Sequence, residues 1–401
     1  MSKKIVLAYS GGLDTSIIIP WLNENYNYEV IAYAADLGQE EDWDKVQEKA
    51  YKSGAAKVIV DDLKEEFIRD YAFPTLRAGA LYERQYYLGT AIGRPLIAKK
   101  QVELAQAEGA TAVCHGCTGK GNDQVRFELT FQALGPELEI IAPWRIWDIA
   151  SREQAIDYAK TRGIPVEATK EKPYSMDGNL WHISYEGGIL EDAKSPARKD
   201  MFKWTVDPMD APDDPAVISI DFEAGIPVGI DGVRLDPVTI IERANDIAAK
   251  NGVGRVDIIE NRLVGMKSRG VYETPGGTLL FFALRHLESL TLDREVTKFK
   301  FLVSDRYAEL VYYGQWFTPL KAGLDSFLED VMRYVTGTVT VQLYKGNLTP
   351  LSRYSPYALY DETLATFEAG GDYDQKDSAG FIRLFGLGTQ RASNRMLKGN
   401  D

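Results

Sequence analysis

The chain has 401 residues, of which 45% are hydrophobic and 26% are charged, and these proportions are typical of a soluble globular protein. At ~150 residues per domain, this length is enough for two or three domains with a sizeable core. The net charge of -13 argues against nonspecific nucleic-acid binding, because an acidic surface repels the phosphate backbone.

Membrane and export segments are not evident in the sequence. No apolar run reaches the ~18 residues that a membrane-spanning helix needs. The first residues, MSKK, lead directly into a strand-like segment without the apolar core of a signal peptide. We therefore expect a cytoplasmic protein without a membrane partner.

The first predicted strand, Ile5–Ala8, runs into a glycine-containing turn and then an apolar helix. Glycines let a backbone approach a ligand closely, and the free N–H groups at a helix N-terminus favour phosphate. A Walker A loop is excluded because no lysine follows these glycines, and the spacing also differs from the dinucleotide fingerprint G-x-G-x-x-G. The segment resembles instead the PP-loop of N-type ATP pyrophosphatases, which cleave ATP to AMP and pyrophosphate. Its residues are Ala8, Tyr9, Ser10, Gly11, Gly12, Leu13, Asp14, Thr15 and Ser16.

Asp14 needs a separate explanation, because bare phosphate would repel its carboxylate. A Mg2+ ion bound to the phosphates would reconcile the two, so we expect magnesium with the nucleotide. The alternative is a tight turn in which Asp14 or Thr15 caps the helix. Pro20 conflicts with a long helix after the loop, and we expect it to kink the helix or end it early.

Strands and helices alternate through the first part of the chain, which is typical of an α/β fold with a doubly wound parallel sheet. Ligands bind beyond the carboxyl ends of such strands. We therefore expect the PP-loop, Ala35 and Gly116 to meet at one edge. The predicted strands are Ile5–Ala8, Val30–Tyr33, Lys57–Val60, Thr111–Cys114 and Glu139–Ala142; the predicted helices are Ser16–Glu24, Asp42–Ser53, Leu63–Tyr71, Pro95–Glu108 and Asp123–Leu134.

A second dense motif, Gly116–Arg126, contains three glycines followed by polar side chains. Asp123 and Arg126 are spaced i, i+3 and so share a helix face. Such a pair can hold an amino acid at both ends, with its ammonium on Asp123 and its carboxylate on Arg126. On spacing alone, an exposed loop with a helix cap at Asn122 or Asp123 remains an equal alternative.

The two cysteines, Cys114 and Cys117, have C-x-x-C spacing. A redox pair or half of a zinc site is one interpretation. However, no second cysteine pair exists to complete a zinc site, and thioredoxin-like chemistry places the motif at a helix start. We favour a structural role.

Composition changes after a predicted helix that opens with the capping box Ser151-x-x-Gln154. We place a boundary near Thr169, which gives domains at 1–168 and 169–362 and an arm at 363–401. The second domain should be α+β. Its predicted elements include the strands Val217–Phe222 and Val339–Tyr344 and the helices Val238–Lys250 and Leu279–Leu290.

The arm has too few apolar residues to form its own core. Nevertheless, Phe381–Phe385 is an apolar, strand-like patch that water would disfavour. We expect this patch to pack on a neighbouring subunit; the alternative is that it folds back on its own chain.

Taken together, the motifs resemble the argininosuccinate synthase family, in order, over most of the chain. The resemblance is weak only past about Tyr360. The segments that carry it are Ala8–Ser16, Ala80–Glu83, His115–Gly116, Thr118–Glu128, Ser175–Asp177, His182–Glu186, Glu260–Arg262 and Met266–Pro275.

The resemblance implies an adenine nucleotide alpha hydrolase-like domain, a synthetase and multimerisation domain, and a homotetramer joined by the C-terminal arm. It implies an ATP-dependent C–N ligase of arginine biosynthesis that converts citrulline and aspartate to argininosuccinate, AMP and pyrophosphate through citrullyl-AMP. It assigns catalytic roles to Asp14 and Arg126. By the same resemblance ATP is bound by Ala8 to Ser16, Ala35 and Gly116; aspartate by Thr118, Asn122 and Asp123; and citrulline by Tyr86, Asn122, Arg126, Ser175, Ser184, Glu260 and Tyr272.

Two other functions remain as alternatives. A tRNA-modifying PP-loop enzyme would share the first motif, but it should also carry a basic RNA-binding face. A nucleotide-binding sensor would keep the sheet without needing the polar clusters after residue 170.

Overall fold

The computed structural model describes residues 3–149, 151–165, 174–368 and 371–398. The predicted boundary near Thr169 lies outside these residues. The chain separates into two compact units, Met1–Tyr357 and Ala358–Asp401. Within the described ranges, no helix is both long enough and apolar enough to cross a bilayer.

The first sheet is parallel, and its five strands have the order β3-β2-β1-β4-β5. Because all strands point the same way, the carboxyl ends of β1, β2 and β4 lie along one edge. The chain order reverses between β1 and β4, which creates the crevice where ligands bind in such sheets. The predicted fold class is confirmed. The strands are β1 (Lys3–Ala8), β2 (Tyr28–Asp36), β3 (Lys57–Asp62), β4 (Ala112–Cys114) and β5 (Glu139–Ile141).

Helices lie between these strands in the chain or follow the last of them, and the two faces of β1 pack in different hydrophobic clusters. At the start of the last of these helices, Ser151 accepts a hydrogen bond from the Gln154 N–H at 3.2 Å, as the capping box predicts. The helices are α1 (Leu13–Tyr26), α2 (Trp43–Lys52), α3 (Lys64–Phe67), α4 (Phe73–Arg77), α5 (Gly89–Glu108), α6 (Asp123–Leu134) and α7 (Arg152–Thr161); a π-helical turn at Ile68–Ala72 joins α3 to α4.

Of the two outcomes expected at Pro20, an early end of the helix is wrong, since α1 continues to Tyr26, whereas a kink stays a prediction. Proline lacks the N–H that would bond to the Ser16 carbonyl, which weakens a helix interior by roughly 3 kcal/mol. Apolar side chains on both sides of the proline are fully buried, and this burial offsets the lost hydrogen bond. They are Ile17, Ile18, Ile19 and Leu22.

A four-stranded antiparallel sheet, in the order β11-β12-β7-β6, follows the first domain. Its register pairs Tyr272 with Ser184, and Ser184 with Asp177. Directly opposed residues project on the same face of a sheet, so Tyr272 and Ser184 are neighbours. The strands are β6 (Ser175–Gly178), β7 (Ile183–Glu186), β11 (Arg255–Asn261) and β12 (Lys267–Glu273).

A five-stranded antiparallel sheet, β10-β9-β8-β13-β14, and four long helices complete the larger unit. The predicted α+β character of this half follows from these elements. The strands are β8 (Ala216–Glu223), β9 (Ile226–Ile230), β10 (Val233–Arg234), β13 (Gly337–Tyr344) and β14 (Asn347–Tyr354); the helices are α8 (Pro237–Lys250), α9 (Pro275–Thr291), α10 (Arg294–Tyr312) and α11 (Pro319–Val331).

The smaller unit contains the helices α12 (Glu362–Ala365), α13 (Asp377–Phe385) and α14 (Leu387–Lys398). The prediction of a strand-like patch at Phe381–Phe385 is wrong, because these residues end α13. Phe381 and Phe385 lie one helical turn apart, and their rings stack with centroids 5.2 Å apart. Residues four apart are neighbours on a helix, so the two rings can stack. In an extended strand the same residues would lie too far apart to touch.

Candidate active site

The PP-loop leaves β1 and enters α1 in a conformation that needs glycine. Gly11 has φ +73°, and a Cβ there would lie 3.0 Å from the Val46 side chain. Gly12 is the N-cap of α1, and no side chain in the described part of the chain caps this helix. Neither Asp14 nor Thr15 has the predicted alternative role of a cap. The N-terminus of α1 therefore begins at a glycine in the loop, and a helix N-terminus of this kind favours an anion.

Hydroxyl groups hold the two ends of this loop together. The Tyr9 hydroxyl lies 2.9 Å from Ser16 Oγ, which in turn donates to the Gly12 carbonyl at 2.7 Å. Ser10 N–H donates to Thr15 Oγ1 at 3.3 Å. The loop is thus shaped by its own side chains before any ligand binds.

Lys49 of α2 places a cation next to the loop. The sequence motif of the loop did not predict this cation. The Lys49 Nζ donates to the Gly11 carbonyl at 2.7 Å, across 38 positions of sequence. The loop lacks a lysine in its own motif, yet packing places an ammonium group against its backbone.

The structure brings the other two predicted nucleotide residues to the same edge of the sheet. Ala35 lies near the end of β2 and is buried. Gly116 follows β4, and a Cβ there would lie 2.9 Å from Thr15 Cγ2. Only glycine lets this second loop approach the PP-loop so closely.

His115 organises the loop that contains Gly116. Its Nδ1 accepts the Cys117 N–H at 3.3 Å, so Nε2 carries the proton and donates to Glu128 Oε1 at 3.0 Å.

Burial raises the pKa of both the Cys114 and Cys117 thiols. Among the described residues, no group of three or more His, Cys, Asp or Glu side chains could hold a metal ion.

Asp123, at the start of α6, lies between two guanidinium groups. Its carboxylate accepts from Arg94 Nε at 2.8 Å and from Arg126 Nη1 at 2.7 Å. Burial opposes ionisation, but these two cations lower the pKa of Asp123 to about 2. Arg94, which the sequence analysis missed, also donates to Asp177 at 2.5 Å. The site therefore holds an ionised carboxylate within a network of fixed charges.

Glu260 is the carboxylate of a second, more deeply buried cluster. The Tyr272 hydroxyl donates to Glu260 Oε2 at 2.9 Å, and the Tyr312 hydroxyl donates to Oε1 at 2.6 Å. Burial raises the pKa of Glu260, although these hydroxyls and Arg126 act in the opposite direction. The buried Tyr86 ring packs on Tyr272 with centroids 4.5 Å apart. Aromatic walls and one acid make a compact receptor for an ammonium group.

The remaining predicted residues lie around these clusters. Ser184 donates from Oγ to the Asp177 carbonyl at 3.2 Å. Thr118 and Ser175 are exposed, the first in the glycine loop and the second at the start of β6. Asn122 is buried, with its Oδ1 accepting the Leu263 N–H at 3.0 Å and its Nδ2 donating to the Tyr312 hydroxyl.

His182 lies beside the same cluster but remains neutral. Burial is the main cause that lowers its pKa to about 3, and Nε2 lies 3.0 Å from Thr90 Oγ1. A Cβ on Gly89 would lie 2.3 Å from the imidazole ring. We therefore interpret His182 as a structural residue.

Comparison with known proteins identifies the family. The model of the arginosuccinate synthase N-terminal HUP domain matches residues 4–165, and that of the C-terminal domain matches residues 174–392. An argininosuccinate synthase of Moorella thermoacetica is 62% identical over 387 residues, which cover 96% of this chain and 95% of the relative. One of Pelotomaculum thermopropionicum is 62% identical over 384 residues, with 96% of both chains covered. The resemblance inferred from the motifs is thus confirmed: the chain belongs to the argininosuccinate synthase family.

Proposed function

We propose that this protein ligates citrulline and aspartate to argininosuccinate while ATP is split into AMP and pyrophosphate. The single observation that carries the proposal is that Gly116, where a Cβ would lie 2.9 Å from Thr15 of the PP-loop, belongs to the loop that leads into α6 at Asp123. Asp123 is ionised between two guanidinium groups, whereas Glu260 is buried among tyrosines. A three-substrate ligase requires one nucleotide site and two amino-acid sites, and these two carboxylates are the proposed centres of the amino-acid sites.

The PP-loop is the proposed site for the ATP phosphates, with Ala35 and Gly116 beside the nucleotide. The N-terminus of α1 and the loop backbone supply N–H groups to the phosphates. Mg2+ commonly binds one or two carboxylates together with substrate phosphates and water, so the single carboxylate of Asp14 fits this ion. When bound, the ion neutralises charge on the departing pyrophosphate.

Aspartate is assigned to Thr118, Asn122 and Asp123. The Asp123 carboxylate stays ionised at neutral pH, and it suits the substrate ammonium group. The exposed Thr118 stands at the open side of the glycine loop, where a small substrate can enter.

Citrulline is assigned to the Glu260 cluster. Glu260 suits its α-ammonium group, and Arg126 suits its α-carboxylate because the guanidinium group recognises a carboxylate at two points. From α5, the Thr90 N–H donates to the hydroxyl of Tyr86 at 3.2 Å beside this cluster. The other members assigned to citrulline are Tyr86, Asn122, Ser175, Ser184 and Tyr272.

The reaction follows from this arrangement in two displacements. The ureido oxygen of citrulline attacks the α-phosphorus of ATP with its own lone pair, and pyrophosphate leaves. The aspartate ammonium group first releases a proton, and the free amine then attacks the adenylated carbon. The new C–N bond forms, the C–O bond to AMP breaks, and the nitrogen loses a second proton to solvent. No general base is needed in the first displacement, so the protein accelerates it mainly by holding the two substrates in line.

Isotope exchange tests the proposal directly. Labelled pyrophosphate should enter ATP only when citrulline is present, and aspartate should not be required. Parallel reactions with tRNA, and with neither addition, distinguish the two alternative functions. Exchange of equal rate in all three reactions would contradict the proposed activation step.

A homotetramer is the proposed assembly. The helix α13 leaves Phe381, Ile382, Leu384 and Phe385 between 63% and 78% exposed. Exposing four large apolar side chains on a nine-residue helix to water is unfavourable, and a neighbouring subunit would cover them. The expectation of a cytoplasmic location stays a prediction.

A further inference from the structure

Tyr312 connects side chains that belong to both proposed amino-acid sites. It is the last residue of α10, and its side chain is fully buried. Its hydroxyl accepts from Asn122 Nδ2 at 2.8 Å and donates to Glu260 Oε1 at 2.6 Å. One phenol therefore touches the amide assigned to aspartate and citrulline and the carboxylate assigned to citrulline.

The direction of these hydrogen bonds is fixed from both ends. The Leu263 N–H can only donate, so the atom of Asn122 that faces it at 3.0 Å is the oxygen. The amide nitrogen of Asn122 must then donate to Tyr312. The Tyr312 hydroxyl in turn has its proton available for the Glu260 carboxylate, which can only accept when ionised. The result is a directed chain from Leu263 through Asn122 and Tyr312 to Glu260.

Tyr312 also supports Arg126. The Arg126 Nε donates to the Tyr312 carbonyl at 3.0 Å, and the guanidinium carbon lies 4.9 Å from the centre of the Tyr312 ring. The chain turns directly afterwards at Gly314, whose φ is +74°, and a Cβ there would lie 2.6 Å from Arg126 Cα. Glycine thus permits the end of α10 to contact the backbone of α6.

The Tyr312 ring itself is held independently of its hydroxyl. Tyr82 stacks on it with ring centroids 3.6 Å apart and an interplanar angle of 5°. A phenylalanine at position 312 should keep this stack and the backbone contact to Arg126. The hydroxyl can therefore be removed without removing the ring.

We infer that Tyr312 is a positioning residue that sets the orientation of Asn122 and Glu260 for the two amino-acid substrates. The inference rests on the proposed function, because it takes its substrates from there. Without the hydroxyl, the Asn122 amide and one oxygen of Glu260 each lose a partner in a buried environment. Both side chains can then turn away from the substrates, while the PP-loop keeps its own contacts.

Tyr312→Phe in the full-length enzyme tests the inference. We expect KM for citrulline to rise about tenfold to a hundredfold in pyrophosphate exchange, and KM for aspartate to rise about tenfold in the full reaction. KM for ATP should change less than about twofold, because no contact of the nucleotide loop is lost. The matched control is Tyr307→Phe, which removes a buried hydroxyl on the same helix that donates to Asp325 at 3.0 Å. This control should leave all three KM values unchanged.

A double-mutant cycle with Glu260→Gln separates positioning from general structural damage. If the two residues act together, the double variant should have a citrulline KM close to that of Glu260→Gln alone. Additive losses, a parallel rise in KM for ATP, or unchanged KM values in Tyr312→Phe would overturn the inference. Unchanged citrulline binding in Glu260→Gln would overturn the proposed citrulline site as well, so the two failures are distinguishable.

Discussion

Replacing Asp123 by asparagine removes one negative charge from between two guanidinium groups while preserving the shape of the side chain. Arg126 is almost completely buried, and Arg94 and Asp123 remain 20% and 25% exposed. Removing one partner of a buried ion pair costs about 3–5 kcal/mol, because the remaining charge is left without compensation. We expect about 3 kcal/mol here, since the amide oxygen of asparagine still accepts one hydrogen bond.

The kinetic effect should be selective for aspartate. A lost hydrogen bond to a charged group is worth about 1.5–3 kcal/mol, which is about a tenfold to a hundredfold increase in KM. KM for ATP should change far less, because the PP-loop is held by Ser16, Thr15 and its own backbone. Initial rates at varied aspartate, with ATP and citrulline saturating, measure the effect.

The same substitution has a characteristic pH dependence. The pKa of Asp123 falls from its ordinary 3.8 to about 2 in the folded protein. This lowering of the pKa corresponds to a contribution of about 2 kcal/mol to the free energy of unfolding. The contribution is fully present above pH ~4 and is lost as the pH falls towards 2. As the pH is lowered over this interval, the free energies of unfolding of the wild type and Asp123→Asn, measured with urea, should converge.

A matched substitution gives the control for both measurements. Glu24→Gln removes a carboxylate that accepts from Arg162 with both oxygens on the protein surface. It should leave KM for aspartate unchanged, and it should change the free energy of unfolding by no more than about 1 kcal/mol. Equal aspartate kinetics in Asp123→Asn and Glu24→Gln would refute the role given to Asp123.

Three further predictions address the nucleotide loop and the arm. Asp14→Asn should lower the rate of citrulline-dependent pyrophosphate exchange strongly and raise the Mg2+ concentration needed for half-maximal rate; an unchanged Mg2+ requirement would contradict its proposed role. Gly116→Ala should raise KM for ATP about tenfold or more, because its methyl group meets Thr15 at 2.9 Å, whereas Gly119→Ala meets nothing within 4 Å and serves as the control. Deletion of the residues after Glu362 should give smaller particles by light scattering with the parallel sheet still folded; particles of unchanged mass would show that the arm does not hold the assembly.

Local patterns were sufficient to predict the parallel sheet and the PP-loop. Each predicted strand of the first sheet overlaps an observed one, because a buried parallel strand is an unbroken apolar segment bounded by turns. The loop motif likewise lies within nine consecutive residues. The expected early end of α1 at Pro20 is wrong because the burial of neighbouring side chains offsets the lost hydrogen bond. The expected strand at Phe381–Phe385 is wrong because these residues form the end of a helix.

The supporting residues of the site could not be predicted in this way. Lys49 contacts Gly11 across 38 positions, Arg94 contacts Asp123 across 29, and Tyr312 contacts Asn122 across 190. Each comes from a helix whose packing, and not its spacing, brings it to the site. A lysine, an arginine and a tyrosine on a helix are ordinary surface or core residues until the neighbouring element is known.

The origin of the site residues has a consequence for how such an enzyme can diverge. The loop proposed to bind the nucleotide is built from the parallel sheet and its first two helices, so the contacts described above for it all come from the first part of the chain. The clusters proposed to bind the two amino acids draw on α5, α6, the four-stranded sheet and the end of α10. A change of the amino-acid substrate would therefore require coordinated substitutions in both halves of the chain. A change in the proposed nucleotide site would require substitutions in the first half alone.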